Sequence, residues 1–183
     1  MCTGLALFLF RGVFVRPTAV VHAAVRLVRM EGDGNGWVDG PGGKRVWGKY
    51  GAAGLFLRAG DTVLLQHRAH WVADGGTWAL PGGARDSHET AVEAALRETV
   101  EECGIDTSLV EVEKELVTAG EAPGWTYTTV MAHTTTGQPI ALEPNEESME
   151  LLWVPLDRIR EYELHRGFES SLSVLLWHAE AHD

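Results

Sequence analysis

The chain of 183 residues has few cysteines, little positive charge and no apolar stretch of membrane length. Cys2 and Cys103 are its only cysteines, too few for a disulfide framework, and a reducing cytoplasm is expected. Lysine and arginine number 15 against 26 acidic residues, a net charge of −11, and no long basic run occurs. A nucleic-acid polymer is therefore excluded as the expected partner. The run from Leu5 to Phe10 is apolar, but Arg11 and Arg16 interrupt it well short of a membrane span, and no positive charge precedes it as a signal peptide requires. No membrane association is expected. Residues 1–29 are expected to be a poorly ordered arm or a mis-annotated start upstream of Met30. No internal repeat is visible. The Gly-rich stretch 31–45 lacks the spacing of a phosphate loop, because Val38 stands at the first glycine position and Arg45 at the Ser/Thr position. It is expected to be a structural loop. His67 and His70 have a metal-like spacing but no third ligand, which argues against zinc.

The remaining composition, 45% hydrophobic and 22% charged, is that of one soluble globular domain. Residues 82–105, GGARDSHETAVEAALRETVEECGI, organise it. Asp86 is the expected N-cap, with Glu89 completing a capping box, and Gly104 stands where a left-handed residue ends the helix. Val92, Ala95, Leu96, Thr99 and Cys103 share one side, the expected core face. Glu98, Glu101 and Glu102 fall within a separate arc of roughly 100°. Like charges at that spacing repel, so a hard divalent cation with a preference for oxygen ligands is the natural occupant.

Strand-like runs at 50–58 and 62–68 are joined by Ala59, Gly60 and Asp61, a hairpin signal. Further strands are expected at 77–80, 109–117, 127–135 and 149–154, with a short helix at 156–162 and a longer one at 167–181. Strands, helix, strands, helix predicts an α+β sandwich with helices covering a mixed sheet.

The pattern G-x5-E-x7-R-E-U-x-E-E-x-G-U, where U is bulky and aliphatic, is the signature of the Nudix hydrolases. Gly83, Glu89, Arg97, Glu98, Glu101, Glu102, Gly104 and Ile105 supply it, and Thr99 departs from it in the first aliphatic slot. Thr99 can bond back to a carbonyl one turn earlier, so the departure concerns packing and not chemistry. The flanking stretches GLFLRAGDTVLLQHRA, GTWALPGG and MELLWVPLD resemble the MutT-like branch. The resemblance implies an α/β/α sandwich over residues 46–183, after an N-terminal arm and loop at 1–45. It implies hydrolysis of a nucleoside diphosphate linked to another group, with Mg²⁺ or Mn²⁺. It also makes Glu98, Glu101, Glu102 and the Gly82 carbonyl the metal ligands, and allows pairing as a homodimer.

Arg97 can pair with Glu101 or orient Glu98, while Glu89 is mainly structural. The general base is expected among Glu146, Glu147 and Glu150, Glu147 being the first choice, unless an acid of the signature fills that role. Trp71, Trp78, Trp125 and Tyr127 are candidates to stack on a base, with core packing as the competing role for each. Other readings of the fold are removal of oxidised purine nucleoside triphosphates, nucleotide sensing without cleavage, and prenyl diphosphate isomerisation. A sensor would suit an incomplete signature, and this one is complete. The isomerase would need a catalytic cysteine, whereas Cys103 is on the core face.

Overall fold

The computed structural model describes residues 32–180, so the expectation for residues 1–29 lies outside the described residues. Strands β1 (Trp37–Asp39) and β2 (Arg45–Trp47) form a small antiparallel hairpin, with β1 inside the 31–45 stretch expected to be loop and β2 running out of its end. Glycine and proline mark the turn between them, and their density hid the short flanking strands.

The expected hairpin of β3 (Ala52–Ala59) and β4 (Thr62–Arg68) forms, but it pairs only at its tip, through Arg58↔Val63 and Ala59↔Thr62. Beyond the tip the two strands part. β4 pairs with β5 (Trp78–Ala79) and antiparallel with β9 (Ser148–Pro155). β3 pairs antiparallel with β6 (Gly82–Ala84) and parallel with β8 (Thr126–Thr134), which in turn pairs with β7 (Val110–Gly120). The result is a seven-stranded mixed sheet.

Every residue of β3 is buried, as expected of a strand covered on both faces. Its side chains alternate. Leu55 and Leu57 pack with Ala91, Ala94, Ala95 and Cys103 of α1 (Ala91–Cys103). Phe56 packs with Phe168, Leu172, Leu175 and Ala179 of α2 (Arg166–Glu180). On β4, Leu64 joins the first cluster while Val63 and Leu65 join the second. One helix on each face makes the α/β/α sandwich. A short 3₁₀ helix, Leu156–Glu161, follows β9, and Ile159 anchors it in the α2 core. Among the described residues no helix is long and apolar enough to cross a membrane.

Candidate active site

α1 starts one turn later than expected. Thr90 is the N-cap: its Oγ1 accepts from the Glu93 amide, and the Glu93 carboxylate accepts from the Thr90 amide at 2.8 Å. Asp-x-x-Glu at 86–89 and Thr-x-x-Glu at 90–93 are both capping patterns. The first is used otherwise, because Asp86 Oδ1 accepts the Gly34 amide at 2.8 Å and Glu89 Oε2 accepts the Asp86 amide in the preceding turn. At the far end Gly104 ends the helix with φ +63°, as expected. Thr99 is buried and donates to the Ala95 carbonyl at 2.7 Å, so its hydroxyl is satisfied in the slot where the signature has an aliphatic residue.

Arg97 ties the site together. Its principal partner is Glu89, which accepts from Nε at 2.6 Å and Nη2 at 2.9 Å. Nη1 donates to Glu98 Oε1 at 2.7 Å, and Nη2 also donates to the Ala84 carbonyl of β6. Glu101 Oε1 is 3.9 Å away, so the pairing with Glu101 is the weaker of the two expected. The bidentate bond holds the Glu89 carboxyl below its usual range and raises the Arg97 guanidinium further.

The three glutamates sit in different surroundings. Glu101 is exposed, with 37% of its side chain accessible, whereas Glu98 is mostly buried. Glu102 is 4% exposed and accepts the Gly82 amide through Oε2 at 2.9 Å. Burial, and then the charge of Glu98, push the Glu102 carboxyl up to about 8. Burial also raises Glu98, although Arg97 opposes it. Two neighbouring buried carboxylates with a common preference for neutrality form an all-oxygen set that a hard divalent cation relieves. Gly83 lies directly against them, since a Cβ there would come within 2.6 Å of the Glu98 carboxylate. The residues fit the cation that the signature implies. A second acidic group, Asp33, Asp86 and His88, also brings its ligand atoms within 4.8 Å of one another. Its carboxylates are engaged in stitching the 32–34 segment to the turn before α1.

The three acids after β8 separate clearly. Glu146 and Glu150 are exposed. Glu147 is half-buried, and its charge helps to raise Glu98. The segment carrying it is pinned to the end of α1, where the Glu102 carbonyl accepts from the Asn145 amide at 3.2 Å and from Ser148 Oγ at 3.3 Å. Buried Gln66 donates to that same Ser148 hydroxyl at 2.9 Å. A residue far along the sequence is thereby fixed beside the signature.

Gly82, Gly83 and Glu147 line a cavity of about 610 Å³ together with Arg68, Tyr127, Trp37, Trp47 and Trp125. Trp125 Nε1 donates to the Trp47 carbonyl at 3.1 Å, and Trp37 meets Trp47 edge-on at 5.5 Å. Of the four expected aromatics, Trp125 and Tyr127 reach this cavity. Trp78 is core, stacked on His67 at 4.6 Å, and Trp71 is 65% exposed and not among the lining residues. Trp37 and Trp47 were not foreseen, because 31–45 was expected to be loop and 46–49 was assigned no element, so the hairpin that presents them was missed.

A sandwich of this topology, carrying the complete glutamate signature on the helix that follows a glycine-opened strand, defines a Nudix hydrolase. The chain belongs to that family: the model of the NUDIX domain matches residues 48–177. It is 49% identical over 153 residues to the putative 8-oxo-dGTP diphosphatase 3 of Mycobacterium tuberculosis, covering 78% of this chain and 69% of that protein. It is 42% identical over 135 residues to a nucleoside triphosphate pyrophosphatase/Nudix hydrolase fusion protein of Bifidobacterium longum, covering 69% of this chain and 27% of the fusion. Among solved structures, the Nudix hydrolase RenU of M. smegmatis superposes with a TM-score of 0.76 at 45% identity, covering 82% of this chain and 98% of RenU. The chain is thus an enzyme, a pyrophosphate-cleaving Nudix hydrolase, in a family whose members generally need a divalent metal.

Proposed function

We propose that this Nudix hydrolase takes nucleoside triphosphates carrying an oxidised purine, adding water to release the nucleoside monophosphate and pyrophosphate. The observation that carries the reading is the tryptophan-lined cavity shared with Gly82, Gly83 and Glu147. It has room for a mononucleotide, and its flat apolar walls suit a base. The relative named as an 8-oxo-dGTP diphosphatase supports the choice of base.

In this reading Glu98, Glu101, Glu102 and the Gly82 carbonyl hold Mg²⁺ or Mn²⁺. The cation, when bound, neutralises charge on the phosphoryl oxygens and acidifies water. Arg97, braced by Glu89, keeps the Glu98 carboxylate turned toward the glycine strand. Glu147 takes the proton of the attacking water. The reading also carries a reducing cytoplasm, consistent with a buried Cys103, and pairing as a homodimer.

The test is a panel of 8-oxo-dGTP, dGTP, ADP-ribose, dinucleoside polyphosphates and sugar nucleotides with Mg²⁺, followed for phosphate and pyrophosphate. The highest kcat/KM is expected for 8-oxo-dGTP, with pyrophosphate as product. A clear preference for ADP-ribose or a sugar nucleotide would overturn the choice of substrate.

A further inference from the structure

Asp74 is an acid that phosphate chemistry does not explain. It lines the cavity, and a carboxylate beside a polyphosphate would repel it, so it belongs with the uncharged end of a substrate. Its backbone is unusual as well: at φ +50° it is the only non-glycine among the described residues in the left-handed region. Such a conformation persists where surrounding bonds over-determine it. Here Thr77 Oγ1 donates to the Asp74 carbonyl at 2.7 Å, the Gly75 amide to Val72, and Arg68 to the Ala73 carbonyl at 3.1 Å.

The side chain is oriented too. His165 Nδ1 accepts the Gly167 amide at the start of α2, at 3.1 Å. That bond leaves the ring proton on Nε2, which lies 3.1 Å from Asp74 Oδ2. Burial lowers the His165 pKa, in keeping with a neutral ring donating one hydrogen bond. One carboxylate oxygen is thereby held, and the carboxylate offers its remaining lone pairs to the cavity as acceptors only.

We propose that Asp74, oriented by His165, is the specificity residue that reads the donor edge of a guanine-type base, N1–H with the 2-amino group. The inference rests on the nucleotide reading above. A fixed acceptor matches two adjacent N–H donors and rejects adenine, whose N1 is itself an acceptor. Oxidation at C8 leaves that edge intact, so Asp74 separates guanine from adenine and not oxidised from normal guanine.

The variant D74N follows directly. Asparagine tolerates the left-handed backbone. His165 Nε2–H claims its amide oxygen, and the NH₂ turns toward the base, donor against donor. The experiment measures kcat and KM for dGTP, dITP and dATP with Mg²⁺, beside calorimetric binding of dGMP and dAMP. The wild type is expected to prefer dGTP to dATP by on the order of 10²-fold, with dITP between them. D74N is expected to lose roughly tenfold or more on dGTP through KM, with kcat little changed, and to gain on dATP. H165Q is expected to erode the dGTP to dATP ratio without lowering kcat. An equal loss on all three substrates, as a ribose contact or a loop defect would produce, overturns the inference, and so does an unchanged ratio. If no triphosphate is cleaved but dGMP binds better than dAMP and D74N reverses this, the proposed reaction falls and the role of Asp74 stands. If neither cleavage nor mononucleotide binding occurs, both fall.

Discussion

Replacing Gly83 by alanine tests the placement of Glu98 with a single carbon atom. The added Cβ would lie 2.6 Å from both Cδ and Oε1 of Glu98 and 2.8 Å from Oε2, where ordinary contact begins near 3.4 Å. The carboxylate must therefore retreat by about 0.8 Å, against an Arg97 bond of 2.7 Å that holds it. A displacement of about 1 Å in a reacting constellation costs roughly 10²-fold in rate, or about 2.7 kcal/mol of barrier. The fold should lose far less. What must give way is the far end of one flexible side chain, which puts the cost at the low end of the roughly 1–3 kcal/mol typical of overpacking. Steady-state kinetics with Mg²⁺, Mn²⁺ titration and a thermal melt separate the two effects. The expected result is a ~10²-fold fall in kcat with weakened metal affinity and a nearly unchanged melting temperature. A G83A enzyme with wild-type kcat and metal affinity would refute the argument that Glu98 acts from this position.

The Glu102 carboxyl is raised to about 8 in the folded protein, above its unfolded value, so its contribution to stability is full at acid pH and lost as pH rises through 8. Metal-free protein should thus melt lower at pH 9 than at pH 6, E102Q should flatten that profile, and a flat wild-type profile would contradict it. Thr90→Ala removes the cap of α1 and should cost about 1 kcal/mol in a urea melt. An equal stability in T90A would mean that Asp86 caps the helix after all. Trp125→Ala should raise KM roughly tenfold with kcat little changed, as the loss of one base-stacking surface worth about 1–3 kcal/mol requires. A fall in kcat alone would place Trp125 outside substrate binding.

What could be read from the residues was what local spacing encodes. The position of the glutamates on one helix, the left-handed Gly104, the Thr99 back-bond and the turn that joins β3 to β4 are all set by residues close in the chain, and all appear in the structure. The cap was misplaced because two capping patterns stand four residues apart, and the choice depends on Gly34, which lies far upstream. The parting of β3 and β4, and the parallel pairing of β3 with β8, are long-range and leave no local mark. The cavity shows the same limit. Trp125 and Tyr127 could be named from their place near a strand start, but Trp37 and Trp47 lie among glycines that obscured a hairpin of two three-residue strands. Glu89 as the principal partner of Arg97 was also open to foresight, since eight residues on a helix and its entry turn bring the two within reach of each other.

The central claim is that the signature glutamates hold the cation on which hydrolysis depends. Phosphorus NMR of the enzyme with 8-oxo-dGTP, first in EDTA and then after excess Mg²⁺, tests it on one sample. An intact triphosphate is expected in chelator, then conversion to monophosphate and pyrophosphate once Mg²⁺ is added, with E98Q leaving the triphosphate largely uncleaved under both conditions. Full turnover in EDTA, or unimpaired turnover by E98Q, would contradict it.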